Sequence, residues 1–312
     1  MTWLFVAIIS YLIFAFVFLI DKYLLSGPIP NPKIYAFYLG VLAMLVLLLI
    51  PFVGFRVPEP RQIFYSLAAG AFFVYAIFWF FKTLSLFEAF QTTAIIGGLT
   101  PLFTLAINFI FSSEQGILSL REGVAFLILV LGTIIISFER KDKEDAGRPL
   151  RAFNLKSFGF SAITALLFSI YYVLLKYVFL EQSFWNGTIW MRFGGLLVAV
   201  SFLFFHDVRQ GIKFKKIAPG GKIFVVFIAN QAAGAGANIL ITWAVALAPV
   251  IYVSFINALQ GIQYVFLLIL AFLISKKYPD ILKNEAPGRD ILRKILGAFL
   301  IVFGIFLISL KR

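Results

Sequence analysis

Amide side chains recur at helical spacing in two of the most apolar stretches of this sequence. Asn257, Gln260 and Tyr264 stand at i, i+3 and i+7 with Gln263 beside them, and Gln231 and Asn238 are seven residues apart. On a helix each set shares one face. An amide both donates and accepts hydrogen bonds, so two such faces suit a zwitterionic or hydroxylated solute. The same groups serve equally well to tie one helix to the next. Arg192, about one turn inside an apolar run, has two readings. Its long side chain either reaches back to lipid headgroups or turns inward, where it would attract an anionic group. Trp79, Tyr171 and Trp243 stand away from the nearest charged loops, and each is an aromatic candidate for the same solute or a lipid-interface residue.

Chemistry of other kinds lacks its residues. Cysteine is absent, and the single histidine, His206, sits at a loop edge beside Asp207. No cluster has metal-ligand spacing, and no carboxylate pair is spaced for acid–base work inside an apolar run. Gly220-Gly221-Lys222 is followed by Ile223 and lacks both the upstream glycine and the hydroxyl residue of a phosphate-binding loop. The expectation is therefore a chain that is not an enzyme, holds no cofactor or metal, and is not driven directly by ATP.

The elements that would carry these side chains follow from composition. Of 312 residues, 62% are hydrophobic and 13% charged, and mean hydropathy is +1.00, far outside the soluble range. The net charge of +13 lies mostly in short loops between apolar runs, where it orients helices and meets anionic lipid rather than nucleic acid. The partners expected are a small-molecule substrate and the bilayer, with a homodimer one assembly compatible with this reading.

A spanning helix needs roughly 20 apolar residues. On that measure the sequence predicts ten spans, at 3–20, 34–53, 63–81, 90–111, 122–138, 157–179, 188–205, 223–247, 250–274 and 294–310. The uncharged stretch from Ile223 to Ile274 would be about 78 Å long as one helix, so it must fold back, at Ala248-Pro249. A tight turn near Lys82 and Glu88 divides the third span from the fourth. Gly97-Gly98 and Pro101 permit a bend in the fourth. The run Ala232–Ala237 removes side-chain bulk, for close helix packing or for a cavity wall. With the first span ending before Asp21-Lys22, no Asp or Glu lies in the middle of any span, and no central carboxylate relay is expected.

The sequence also repeats itself. Phe14, Lys22, Tyr23, Gly40 and Leu42 recur as Phe168, Lys176, Tyr177, Gly194 and Leu196 at a constant shift of 154. Leu120-Arg121, Gly132, Ser137 and Arg140 recur as Leu292-Arg293, Gly304, Ser309 and Arg312 at a shift of 172. The expected organisation is a five-helix unit over 1–140, a charged linker over 141–156, and a second unit over 157–312. An odd number of spans inverts the second copy, which gives the inverted-repeat plan of alternating-access carriers.

This all-α plan of five plus five helices resembles the drug/metabolite transporter superfamily, specifically its EamA type. Lys22 and Lys176 close the first helix of each copy, where that family often carries a basic residue, and Arg192 matches a common family arginine. Pro101, Glu114 and Gly132 resemble a family pattern over the fourth and fifth helices, which the second copy lacks apart from Gly297 and Gly304. The resemblance implies a central cavity between the halves, lined by helices one to four and six to nine. A secondary carrier, exporter or exchanger of small metabolites follows as the expectation, amino acids first. A nucleotide-sugar or phosphosugar carrier is the alternative, and a scaffold or lipid-interacting subunit without transport is the reading from another class. The absence of a buried carboxylate differs from the related small multidrug-resistance proteins, whose first helix carries a membrane-buried glutamate.

The basic loops 139–156, 206–222 and 276–293 would be cytoplasmic by the positive-inside rule, in a cell or inner membrane, with both termini outside. Resemblance to the family implies the opposite orientation.

Overall fold

In a computed structural model of the chain, residues 2–26, 32–87, 89–111, 119–137, 155–213, 221–277 and 291–309 are described, and no strand occurs among them. Helix α1 is Thr2–Ser26. Next come α2 (Pro32–Leu42), a 3-10 run over Ala43–Leu49, and the single turn α3 (Ile50–Val53). Then follow α4 (Pro60–Leu86), α5 (Ala89–Phe111), α6 (Leu120–Ser137), α7 (Leu155–Glu181) and α8 (Phe184–Ser201). After a short amphipathic helix, α9 (His206–Lys213), the chain continues as α10 (Lys222–Leu247), α11 (Tyr252–Ala258), α12 (Gly261–Lys277) and α13 (Ile291–Ser309).

All-helical structure is what an apolar solvent demands, because each backbone bond closes within its own segment. Six helical segments are long and apolar enough to cross a membrane: Thr2–Asp21, Pro32–Val53, Pro60–Leu86, Leu155–Glu181, Phe184–Phe204 and Lys222–Leu247. Ile95–Ile110 and Ile295–Ile308 are apolar but shorter. Phe52 and Phe204 are each 85% exposed and Leu120 is 87% exposed, whereas Ser10, Thr164 and Ser169 are buried. That inside-out distribution fits a multi-pass membrane protein, since lipid accepts an apolar exterior that water would not. The fold-back at Ala248-Pro249 is present between α10 and α11. The linker 141–156 falls almost wholly outside the described residues, as do Glu88, Glu114 and most of the basic loop 276–293.

Local chemistry places the helix ends. Pro60 opens α4, where its missing N–H costs nothing. At α6 Ser119 and Glu122 form a capping box: the Ser119 amide and hydroxyl donate to Glu122 Oε2 at 2.9 and 2.7 Å, and the Glu122 amide donates to Ser119 Oγ at 3.3 Å. Tyr252 at the start of α11 donates to the same carboxylate. Lys176, buried on α7, donates to the carbonyls of Val245 and Ala246 at 3.2 and 3.1 Å. A cation there satisfies the last turn of α10 and offsets its dipole.

Small residues set the tightest crossings. Between α4 and α8, Gly70 and Gly194 bring backbone onto backbone: a Cβ at Gly70 would lie 1.7 Å from the Met191 carbonyl oxygen, and one at Gly194 2.0 Å from that of Leu67. Between α6 and α13, Gly132 faces Gly297 and Ile301 while Gly304 faces Ala125 and Leu129. Gly97 and Gly98 rest on Thr133 and Ile134 of α6, and α5 runs unbroken through Pro101. These two glycines therefore serve packing in this conformation.

The expected ninth span is not one helix. It breaks between Ala258 and Gly261, where Gln260 and Ile262 donate three residues back, to Asn257 and Leu259. The carbonyls that the break frees find partners on other helices. Tyr11 donates to the Ile256 carbonyl at 2.7 Å, and Thr133 to that of Ala258 at 3.1 Å. Gly261 is required beside them, because its Cβ would lie 2.2 Å from Thr133 Oγ1. Thr133→Val keeps the shape and deletes the donor. The expected loss is about 0.6 kcal/mol, at most about 1.7, read as a lowered unfolding midpoint in detergent; an unchanged midpoint would show that the bond carries no net stability.

Candidate functional site

A narrow crevice of about 20 Å³, room for about one water in this conformation, lies between α2, α4, α7, α8 and α10. Gly40, Gly70, Gly195, Phe73 and Tyr171 are among the residues that line it, and Arg192 and Thr242 add polar groups to that lining. Arg192 does not reach back to a headgroup. Its Nη2 donates to Asn238 Oδ1 at 2.7 Å, across from α8 to α10, and the Tyr171 phenol stands beside both. The inward reading of the arginine is the one found. No carboxylate pairs with this guanidinium among the described residues. A fork of five donors with one of them on an amide oxygen leaves the rest for an anionic oxygen pair, the geometry that a guanidinium matches best.

The other amides go elsewhere. Asn257 is 1% exposed and donates to Thr104 Oγ1 at 2.9 Å, an interhelical tie between α11 and α5. Gln260 sits in the break between α11 and α12, which ends the periodicity that put it on one face with Asn257 and Tyr264. Gln263 and Tyr264 follow on α12, with Tyr264 packed on the main core. Trp79 lies against Phe160 with Lys82 over its ring, and Trp243 is 45% exposed; neither lines the crevice.

Gln231 joins a second polar cluster. Its Nε2 donates to the Tyr35 hydroxyl at 2.9 Å, Tyr35 donates to the Asp21 carboxylate, and Asn230 Nδ2 donates to the same Asp21 Oδ1 at 2.6 Å. This corrects the expectation that the first span ends before Asp21, which stands at the end of the apolar segment Thr2–Asp21 and not in its middle. Helix α1 does not stop at the charge but runs on to Ser26, so Asp21 lies inside it, against α2 and α10. The signal was Tyr23-Leu24-Leu25, apolar residues that continue the helix beyond Asp21-Lys22. Tyr35 and Asn230 were not singled out by sequence, Asn230 because its neighbour Gln231 already matched the seven-residue spacing. Among the described residues no group of His, Asp and Glu could hold a metal.

No family model matches this chain, and no curated protein matches it. A solved structure, described in its own words only as "Crystal structure of protein", is similar with a TM-score of 0.66 at 16% identity, covering 99% of this chain and 97% of that one. A likeness at that identity establishes a shared fold along nearly the whole length and leaves activity to be argued from the crevice.

Proposed function

We propose that this chain is an EamA-like carrier of the drug/metabolite transporter type, with ten spans in two inverted five-helix repeats, and that it moves a small metabolite bearing a carboxylate, amino acids first. The observation that carries this is the Arg192 guanidinium, in the crevice lining, held by Asn238 and paired with no carboxylate among the described residues. A cation so placed is costly in a membrane and is retained where a ligand uses it.

The contacts support the repeat. The shift of 172 takes Gly132 to Gly304, Leu129 to Ile301 and Ala125 to Gly297, and the α6–α13 crossing pairs these residues reciprocally. Likewise Ser10 of α1 donates to the Ala237 carbonyl of α10, and its counterpart at a shift of 154, Thr164 of α7, bonds Thr83 of α4. A two-fold relation between halves demands such exchange. It fails at one place, which supports alternating access. Where α4 and α8 touch backbone to backbone, their counterparts α10 and α2 meet through the long side chains Tyr35, Tyr38, Phe227 and Gln231. Rocking would exchange the closed and the open pair.

A phosphosugar or nucleotide sugar calls for several cations, and Arg192 is the one charged residue of the crevice lining, so the carboxylate reading is preferred. A scaffold without transport has no use for a crevice guanidinium that is held by an amide and, among the described residues, by no carboxylate. The test is exchange in proteoliposomes preloaded with single amino acids, phosphosugars or nucleotide sugars. Acceleration of labelled amino acid entry by internal amino acid is expected; acceleration by phosphorylated solutes instead would replace the substrate class, and none across the panel would reject transport.

A further inference from the structure

We propose that Asp21 is the proton-coupling site of this carrier: one proton taken from the aqueous side onto its carboxylate travels with each solute and is released on the other side. This rests on the transport reading above. The geometry that supports it is a carboxylate enclosed by three helices and aimed at donors. Tyr35 O–H and Asn230 N–H both point at it, and Gln231 in turn holds the tyrosine oxygen. Phe81 and Phe227 pack against the Tyr35 ring and close the cluster with apolar surface.

No cation neutralises this acid among the described residues. From α2 it faces Tyr35, with Tyr38 on the next turn against Phe227; from α10 it faces the neutral Asn230 and Gln231. On α4 the neighbouring side is Phe81, and Lys82 is turned away onto the Trp79 ring at 4.7 Å. The side chain of Lys22 lies outside the described ones. Tyr35 and Asn230 both donate to Oδ1 and favour the charged form, so the enclosure by apolar surface is what opposes it and a proton would go to Oδ2, whereas a metal cation needs several lone pairs turned toward it. Carrying the bare charge through a conformational change in the membrane is costly, and protonation removes that charge.

Location says what the proton would control. The Asp21 cluster spans α1, α2 and α10, and its Gln231–Tyr35 bond is the polar link across the pair of helices left open in this conformation. Gln231 and Asn238 are seven residues apart on α10, about 10 Å along one face. The proton site and the Arg192 crevice are thus separate and can be filled together, which makes the coupling a symport. Protonating Asp21 changes what Tyr35 donates to and so alters how α2 holds α10. Linkage then requires that solute at Arg192 shift the proton affinity of Asp21, and the reverse.

Two measurements test this. In proteoliposomes with an acid exterior, one coupled proton concentrates the solute about tenfold per pH unit. Wild type is expected to accumulate labelled amino acid accordingly, whereas Asp21→Asn should lose that accumulation while still exchanging label with internal solute. Accumulation undiminished in Asp21→Asn overturns the proposal, and so does loss of exchange and accumulation together in folded protein. Infrared difference spectra on acidification give a readout that needs no transport. A protonated-carboxyl band present in wild type and missing in Asp21→Asn is expected; identical spectra overturn the proposal. Should the asparagine variant fail to fold, Asp21→Glu is expected to keep the band, displaced in frequency and in titration midpoint; the same band at the same midpoint overturns the assignment. Wild type that neither exchanges nor accumulates rejects transport itself, a failure separate from the infrared result.

Discussion

Gly70→Ala is expected to destabilise this protein by about 3 kcal/mol or more, at or beyond the upper end of ordinary overpacking. The three nearest atoms to the added carbon are all backbone of α8: the Met191 carbonyl oxygen at 1.7 Å, its carbon at 2.7 Å and the Gly195 nitrogen at 2.8 Å. None of these atoms can rotate away as a side-chain tip does. Helices α4 and α8 must separate, and Gly194, whose own Cβ would lie 2.0 Å from the Leu67 carbonyl oxygen, shows the crossing to be as tight from the other side. Gly70→Val should not assemble. Gly236→Ala, with nothing within 4 Å of the new carbon, is the matched control and should gain slightly from helix propensity. Unfolding midpoints in detergent decide the matter: equal values for the Ala variants at 70 and 236 would mean that the crossing is not this close.

Arg192→Leu should reduce uptake of carboxylate-bearing solutes about a hundredfold. Charge-assisted hydrogen bonds contribute about 1.5–3 kcal/mol each, and two of them to one carboxylate reach that loss even with partial compensation. Arg192→Lys should recover only part of it, because a point charge cannot reproduce the fork nor hold Asn238 Oδ1 in the same geometry. The informative comparison is between a carboxylate solute and its carboxamide analogue. Wild type should prefer the acid and Arg192→Leu should lose that preference. Equal loss for acid and amide would assign Arg192 a packing role.

The apolar runs were legible as helix, because bilayer thickness imposes a length on each: every expected span overlaps described helix, six helical segments are long and apolar enough to cross, and the ninth is divided. Their ends were less legible. Charge marks an interface on average, yet Asp21 is held within α1 by hydrogen bonds from Tyr35 on the next helix and from Asn230, far along the sequence, which no local pattern announces. The amide stripes fared unevenly for a related reason. The spacing of Gln231 and Asn238 survived, since α10 is continuous, but they serve two different clusters. The stripe on the ninth span assumed an unbroken helix, and the break at Leu259-Gln260 depends on Tyr11 and Thr133 donating to its freed carbonyls. Arg192 had two readings because side-chain direction is decided by Asn238, not by depth. The close approach at Gly70 likewise left no trace in composition.

The break between α11 and α12 also bears on how the chain is made. Bare carbonyls in lipid cost several kcal/mol each, so residues 252–277 are poor company for the bilayer by themselves. Their donors come earlier in the chain: Tyr11 lies on α1 and Thr133 on α6. By the time the broken segment leaves the translocation pore, both hydroxyls have already been synthesised. Direction of synthesis thus places donors before acceptors, and a circular permutant that led with residues 252–277 would expose those carbonyls first.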